Sequence, residues 1–82
     1  MKTPKEIGKI FAEARENLNL SIEEAARESR IHANVVRDIE NGVFDRLSKV
    51  YLKSFMKKYA GFLELDAGSI IEEYESVSDK VP

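Results

Sequence analysis

The sequence has no cysteine and a single histidine, and those two shortages exclude several kinds of chemistry. Without cysteine there is no disulfide framework, no thiolate nucleophile and no zinc–thiolate site, which suits a reducing cytosol. One histidine cannot build a multi-histidine metal site. No apolar run approaches the ~18 residues of a membrane span, and no secretory signal follows Met1, so the chain reads as soluble and cytoplasmic. Gly-rich phosphate loops, metal-ligand spacings and nucleophile elbows are also missing. So is a surplus of basic residues: 13 Lys and Arg against 15 Asp and Glu leave a net charge of −2. A basic domain is the usual electrostatic footprint of a nucleic-acid binder, yet a local patch can outweigh the total.

What is present is enough for one small domain. Its 82 residues are 43% hydrophobic, sufficient for one core but not for a core plus a deep substrate cavity. At this length the whole fold is stabilised by only about 4–12 kcal/mol. There is no strand-like alternation and no internal repeat, and every periodic stretch is helical.

Residues 21–42 organise the chain. Ser21 followed by Glu24 predicts a capping box, in which each side chain bonds the other residue's backbone N–H. Ile22, Ala25 and Ala26 share one face, and the paired alanines leave room for a second helix to cross closely. A turn over residues 29–31 leads to a helix whose inward side is Val35, Val36 and Ile39. Gly42 supplies a left-handed stop. This is the pattern of a helix-turn-helix.

Before it, Thr3, Pro4 and Glu6 predict the start of a first helix with Ile7, Ile10, Phe11, Ala14 and Leu18 inward. After it, Phe44 is the candidate to plug the core. A fourth helix is expected over residues 48–63, with Leu52, Met56, Tyr59 and Leu63 as its core stripe. Asp66 caps a fifth, with Ile70, Ile71 and Tyr74 inward and Glu72, Glu73 and Glu75 outward. The reading is an all-α, five-helix, repressor-like domain over residues 1–75, with residues 76–82 a polar tail or the start of a linker.

Three functions can be written on these residues. For catalysis, Ser29 and His32 lie close in sequence, but the simpler reading puts both at solvated helix ends, and no enzyme, cofactor, metal or small-molecule substrate is expected. For DNA binding, the third helix would offer His32, Ala33, Asn34, Arg37 and Asp38 to the major groove, with Asn34 and Arg37 reading bases. Few fixed positive charges surround them for the phosphates that dominate affinity, and Asp38 and Glu40 oppose them. For protein binding, the fourth helix has an apolar arc wider than a surface helix needs. Tyr51, Phe55 and Phe62 lie along its edge beside Lys58, with Lys53 and Lys57 on the far side. Either the fifth helix covers the excess, or Tyr51 and Phe55 are exposed anchors rimmed by lysines.

Together, Ile7-Gly8-Lys9-Ile10-Phe11, Asn19 to Ala26, Ile39-Glu40-Asn41-Gly42-Val43-Phe44-Asp45-Arg46-Leu47, Tyr51-Leu52-Lys53-Ser54-Phe55 and Lys58-Tyr59-Ala60 resemble the cytoplasmic N-terminal domain of the RodZ family of bacterial cell-shape proteins. The resemblance implies a helix-turn-helix domain that holds another protein, the actin-like filament protein MreB, and links it to the membrane and the cell-wall elongation machinery. It implies a contact through the fourth helix: Tyr51 and Phe55 as anchors, Lys53, Lys57, Lys58 and Arg46 as charged contacts, and Tyr59 as a further match whose angle points it toward the core. Longer members of the family sit at the cytoplasmic face of the inner membrane through a membrane-spanning segment absent from these 82 residues. The alternative is a small DNA-binding regulator using His32, Asn34 and Arg37. Arg30 stands where a repressor-type turn usually has glycine, which leaves the turn geometry there open.

Overall fold

The computed structural model describes residues 2–78 and contains five helices: α1 (Pro4–Asn17), α2 (Ile22–Ser29), α3 (Ala33–Asn41), α4 (Lys49–Phe62) and α5 (Ala67–Ser78). The capping chemistry sets the starts. Thr3 Oγ1 accepts from the Glu6 N–H at 3.2 Å while Glu6 accepts from the Thr3 N–H at 3.0 Å. Ser21 and Glu24 repeat this at 3.0 and 2.9 Å. Both boxes hold their glutamate carboxyls below the ordinary range, chiefly through the backbone N–H they accept from. Ser48 caps α4, and Asp66 accepts from the Ser69 N–H at the start of α5.

The first four helices stop in one way. Each is followed by a left-handed residue, Asn19 (φ 58°), Arg30 (φ 61°), Gly42 (φ 72°) and Glu64 (φ 62°). The next residue then donates its N–H back into the last turn: Leu20 to Arg15, Ile31 to Ala26, Val43 to Asp38 and Leu65 to Ala60. These are Schellman stops, and each places an apolar side chain just past the helix. The turn geometry left open at Arg30 is the usual one: the arginine adopts the glycine-type conformation. A left-handed L-residue carries strain of roughly 1–2 kcal/mol, partly offset by the greater unfolded-state freedom of glycine. Arg30→Gly should therefore raise Tm by about 3–6 °C in calorimetry, since the Arg30 side chain is exposed and its bonds to Ala26 and Lys58 are made by backbone atoms. A lower Tm would mean that the arginine side chain contributes more than the strain removes.

α1 lies on α3, α2 on α3, and α4 principally on α5, which also touches α1. The centre is filled by Ile7, Phe11, Val36, Ile39, Leu52, Met56 and Tyr59, all fully buried. Phe11 and Tyr59 stack with centroids 5.5 Å apart. α1 and α3 approach so closely that a Cβ on Gly8 would sit 2.4 Å from the Glu40 carbonyl oxygen.

Several expectations need correcting. Leu18 is 46% exposed, because α1 ends at Asn17 and the chain turns away before the stripe completes. Val35 is only half-buried, at the edge of a shallow hollow. Phe44 does not plug the core. It lies half-buried, edge-on to Tyr74 at 5.5 Å, and with Pro4, Leu47 and Val77 lines a groove of about 880 Å³. α5 continues to Ser78, so residues 76–78 of the expected tail are helical, and residues 79–82 lie outside the described residues.

Candidate functional site

α4 presents two unlike faces. Leu52, Met56, Tyr59, Ala60 and Leu63 are buried, at the spacing that an amphipathic helix requires. Lys49, Val50, Tyr51, Ser54, Lys57, Lys58 and Gly61 are exposed. Tyr51 is 65% exposed and Val50 77%, so the helix carries two adjacent large apolar side chains in solvent. Sequence reading singled out Tyr51 and missed Val50. The signal was present, since Val50 falls on the arc of Ser54 and Lys57 at steps of four and three residues.

The other expected anchors separate into different roles. Phe55, one turn beyond Tyr51, is half-buried against the core, so it flanks the exposed patch and is not free to project from it. Phe62 is half-buried and stacks on Tyr59 at 6.4 Å. Tyr59 is fully buried and cannot touch a docked partner, which removes it from the contact set.

The expected charged contacts are also unequal. Lys53 leans onto α5 and bonds Glu75 at 2.8 Å, which raises the lysine pKa and lowers that of the glutamate. Lys58 donates to the Arg30 carbonyl at 3.3 Å, tying α4 to the turn of the helix-turn-helix. Lys57 is exposed. Arg46 pairs with Asp38 at 3.6 Å and lines the hollow beside Asn34, Val35 and Arg37. α4 itself carries four lysines and no carboxylate.

On α3, the candidate DNA-reading side chains are engaged with one another. His32 is the N-cap, its Nδ1 accepting from the Asn34 N–H at 3.2 Å. Arg37 donates to Asn34 Oδ1 at 3.3 Å and to Glu23 of α2 at 2.5 Å. Reading a base would require Arg37 to leave that carboxylate. Ser29, expected in solvent, is buried and donates to the Ala26 carbonyl at 3.3 Å. Among the described residues, Ser29 and His32 each bond elsewhere and not to one another. Among the described residues, no cluster of three or more His, Asp or Glu side chains could hold a metal ion.

A buried polar cluster was missed altogether. Arg15 Nε lies 3.1 and 2.8 Å from the two carboxylate oxygens of Glu40, and its second terminal nitrogen bonds Oε1 at 3.0 Å. Its first terminal nitrogen bonds the Leu20 carbonyl at 2.8 Å, and the Tyr59 hydroxyl donates to Glu40 Oε2 at 2.6 Å. Glu40, counted from sequence as a solvated charge opposing DNA, is buried and neutralised. The available hint was Arg15, which sits one turn beyond Phe11 on the buried side of α1. Burial first, and then the bond to Glu40, push the Tyr59 pKa far above its ordinary 10.0. The unfolded tyrosine ionises near pH 10, whereas the folded one stays neutral. The stability is thus complete below pH 10 and falls above it, by up to about 1.4 kcal/mol per pH unit. Urea titrations from pH 9 to 11.5 should show this decline, and Tyr59→Phe should make it shallower.

Residues 10–70 match the family model described as a helix-turn-helix domain. The cytoskeleton protein RodZ of Streptococcus pneumoniae is 37% identical over 75 residues, covering 90% of this chain and 27% of the relative. An uncharacterised protein of Haemophilus influenzae is 37% identical over 60 residues, covering 71% of this chain and 20% of that protein. The chain thus spans about a quarter of the length of these relatives. A solved structure of bacterial actin MreB assembled in complex with the cell shape protein RodZ contains a chain 30% identical to this one. It superposes with a TM-score of 0.87 over 93% of this chain and 88% of that one. These matches bear out the five-helix fold and the resemblance to RodZ.

Proposed function

The chain belongs to the helix-turn-helix domain family, and we propose that it is a non-catalytic adaptor that binds the filament protein MreB through α4. In this reading the domain couples the bacterial cytoskeleton to the membrane and the cell-wall elongation machinery, and so to rod shape. It would act at the cytoplasmic face of the inner membrane. Among the described residues no helix is long and apolar enough to cross a membrane, so any anchoring would come from elsewhere.

The observation that carries the proposal is the pairing of exposed Val50 and Tyr51 with a helix that has four lysines and no carboxylate. It occurs in a domain superposable on a chain solved in complex with MreB. Tyrosine suits such a contact because it combines a large apolar ring with a polar tip and few torsions to freeze. Tyr51 and Val50 would enter a hollow on the filament subunit, with Phe55 supporting them from below. Lys49, Lys57 and Lys58 would form the charged rim, which acts mainly on approach and orientation. Lys53 is tied to Glu75 and Arg46 faces the α3 side, so their contributions would be smaller.

Co-sedimentation with polymerised MreB tests this. Tyr51→Ala should weaken binding by about 1–3 kcal/mol, the range of an interface hot spot. Stability should stay within about 0.5 kcal/mol of wild type, as for exposed positions. Arg37→Ala should pellet like wild type. If Tyr51→Ala also pellets like wild type, α4 is not the docking helix.

A further inference from the structure

We infer that the buried Arg15–Glu40–Tyr59 cluster is a positioning device that sets the direction in which α4 presents Val50 and Tyr51. The inference rests on the reading of α4 as the docking helix and adds residues that no partner can touch.

The cluster gathers four parts of the chain. Arg15 lies near the end of α1, Leu20 in the loop after it, Glu40 near the end of α3, and Tyr59 in the third turn of α4. Among the described residues, α4 has two side-chain hydrogen bonds to the α1–α3 half of the molecule. One is the solvent-exposed contact of Lys58 with the Arg30 carbonyl at 3.3 Å. The other is the buried bond from Tyr59 to Glu40 at 2.6 Å. The Phe11–Tyr59 stack fixes how deep the Tyr59 ring lies, but parallel rings can slide and rotate over each other. The hydroxyl bond removes that freedom, because Glu40 is itself held by three contacts to the Arg15 guanidinium. Bidentate geometry of this kind orients as well as attracts.

The lever arm makes the orientation matter. Tyr51 precedes Tyr59 by eight residues, about 12 Å along a helix axis, so a tilt of about 10° at the Tyr59 end moves Tyr51 by about 2 Å. A side chain that must enter a fitted hollow tolerates much less than that. Glu40 and Tyr59 are thus positioning residues for the docking face.

The test separates positioning from simple loss of structure. Glu40→Gln, Tyr59→Phe, Tyr51→Ala and Ile7→Val (a buried change outside the cluster) are compared at 10 °C, where circular dichroism confirms which are folded. Polymerised MreB is the probe, and residual dipolar couplings of α4 amides report its angle to α1–α3. Tyr59→Phe should weaken filament binding about three- to tenfold, the range seen when coupling residues are changed. It should also reorient α4, and Glu40→Gln should do the same if it folds. Ile7→Val should lower the melting temperature while leaving both readouts unchanged. Wild-type binding and wild-type couplings in Tyr59→Phe, alongside loss of binding in Tyr51→Ala, overturn the inference alone. Wild-type binding in Tyr51→Ala overturns the docking reading and this inference with it.

Discussion

Glu40→Ala should destabilise the domain by about 3–5 kcal/mol, the cost typical of removing one member of a buried ion pair. The reason lies less in the lost attraction than in what is left behind. Arg15 would keep a guanidinium that is largely enclosed and retains only the Leu20 carbonyl as a partner, and the Tyr59 hydroxyl would lose its acceptor in the core. Unpaired buried donors cost far more than paired ones return. Against a total of about 4–12 kcal/mol for a chain of this length, such a loss leaves a substantial unfolded population at 37 °C. Urea denaturation at pH 7 measures it. Arg15→Met combined with Glu40→Leu and Tyr59→Phe should recover much of the loss, because apolar replacement of a whole buried polar cluster is often neutral or stabilising. A deficit in Glu40→Ala below 1 kcal/mol would mean that water reaches the cluster.

Gly8→Ala should cost about 3 kcal/mol, at the upper end for an overpacked core. Helix propensity alone predicts the opposite sign, since alanine is favoured over glycine by roughly 1 kcal/mol. Geometry decides which wins. The added methyl would lie 2.4 Å from the Glu40 carbonyl oxygen and 2.7 Å from that of Ile39, and these are backbone atoms that cannot swing aside. α1 and α3 would have to separate, disturbing the Arg15–Glu40 contact as well. Gly61 supplies the control. It is exposed, within α4, and nothing lies within 4 Å of an added Cβ, so Gly61→Ala should stabilise by about 0.5–1 kcal/mol. The same substitution thus has opposite signs at two helical glycines. Equal effects at both sites would contradict the close approach of α1 to α3.

The contrast between these glycines indicates what a sequence can convey. Capping boxes were legible because they are local: Thr3 with Glu6 and Ser21 with Glu24 need only a spacing of three residues. The inward stripes of α3, α4 and α5 were legible through periodicity, and Val36, Ile39, Leu52, Met56 and Tyr74 are buried where that periodicity puts them. Gly8 and Glu40 were not, because their roles depend on which helices cross and how closely. Three of the four helix stops were obscure for another reason. Asn19, Arg30 and Glu64 adopt a conformation usually signalled by glycine, and the readable part of the signal is the apolar residue that follows. On α4, the angular pattern separated Tyr59 from Tyr51 correctly, but it could not show that Phe55 would be half covered or that Val50 would stand clear.

The distribution of charge along α4 has one further consequence. The whole chain carries −2, while α4 contributes four lysines and no carboxylate, which leaves −6 on everything else. The domain therefore carries an uneven charge distribution under a weak net charge. Far from a negatively charged surface it is mildly repelled, and within about a Debye length, ~8 Å at physiological ionic strength, it is turned until α4 leads. Added salt should then slow productive encounters with such a surface, although two bodies of like net charge would ordinarily meet faster as salt rises. An anion exchanger and an acidic partner would thus sense opposite sides of the same molecule.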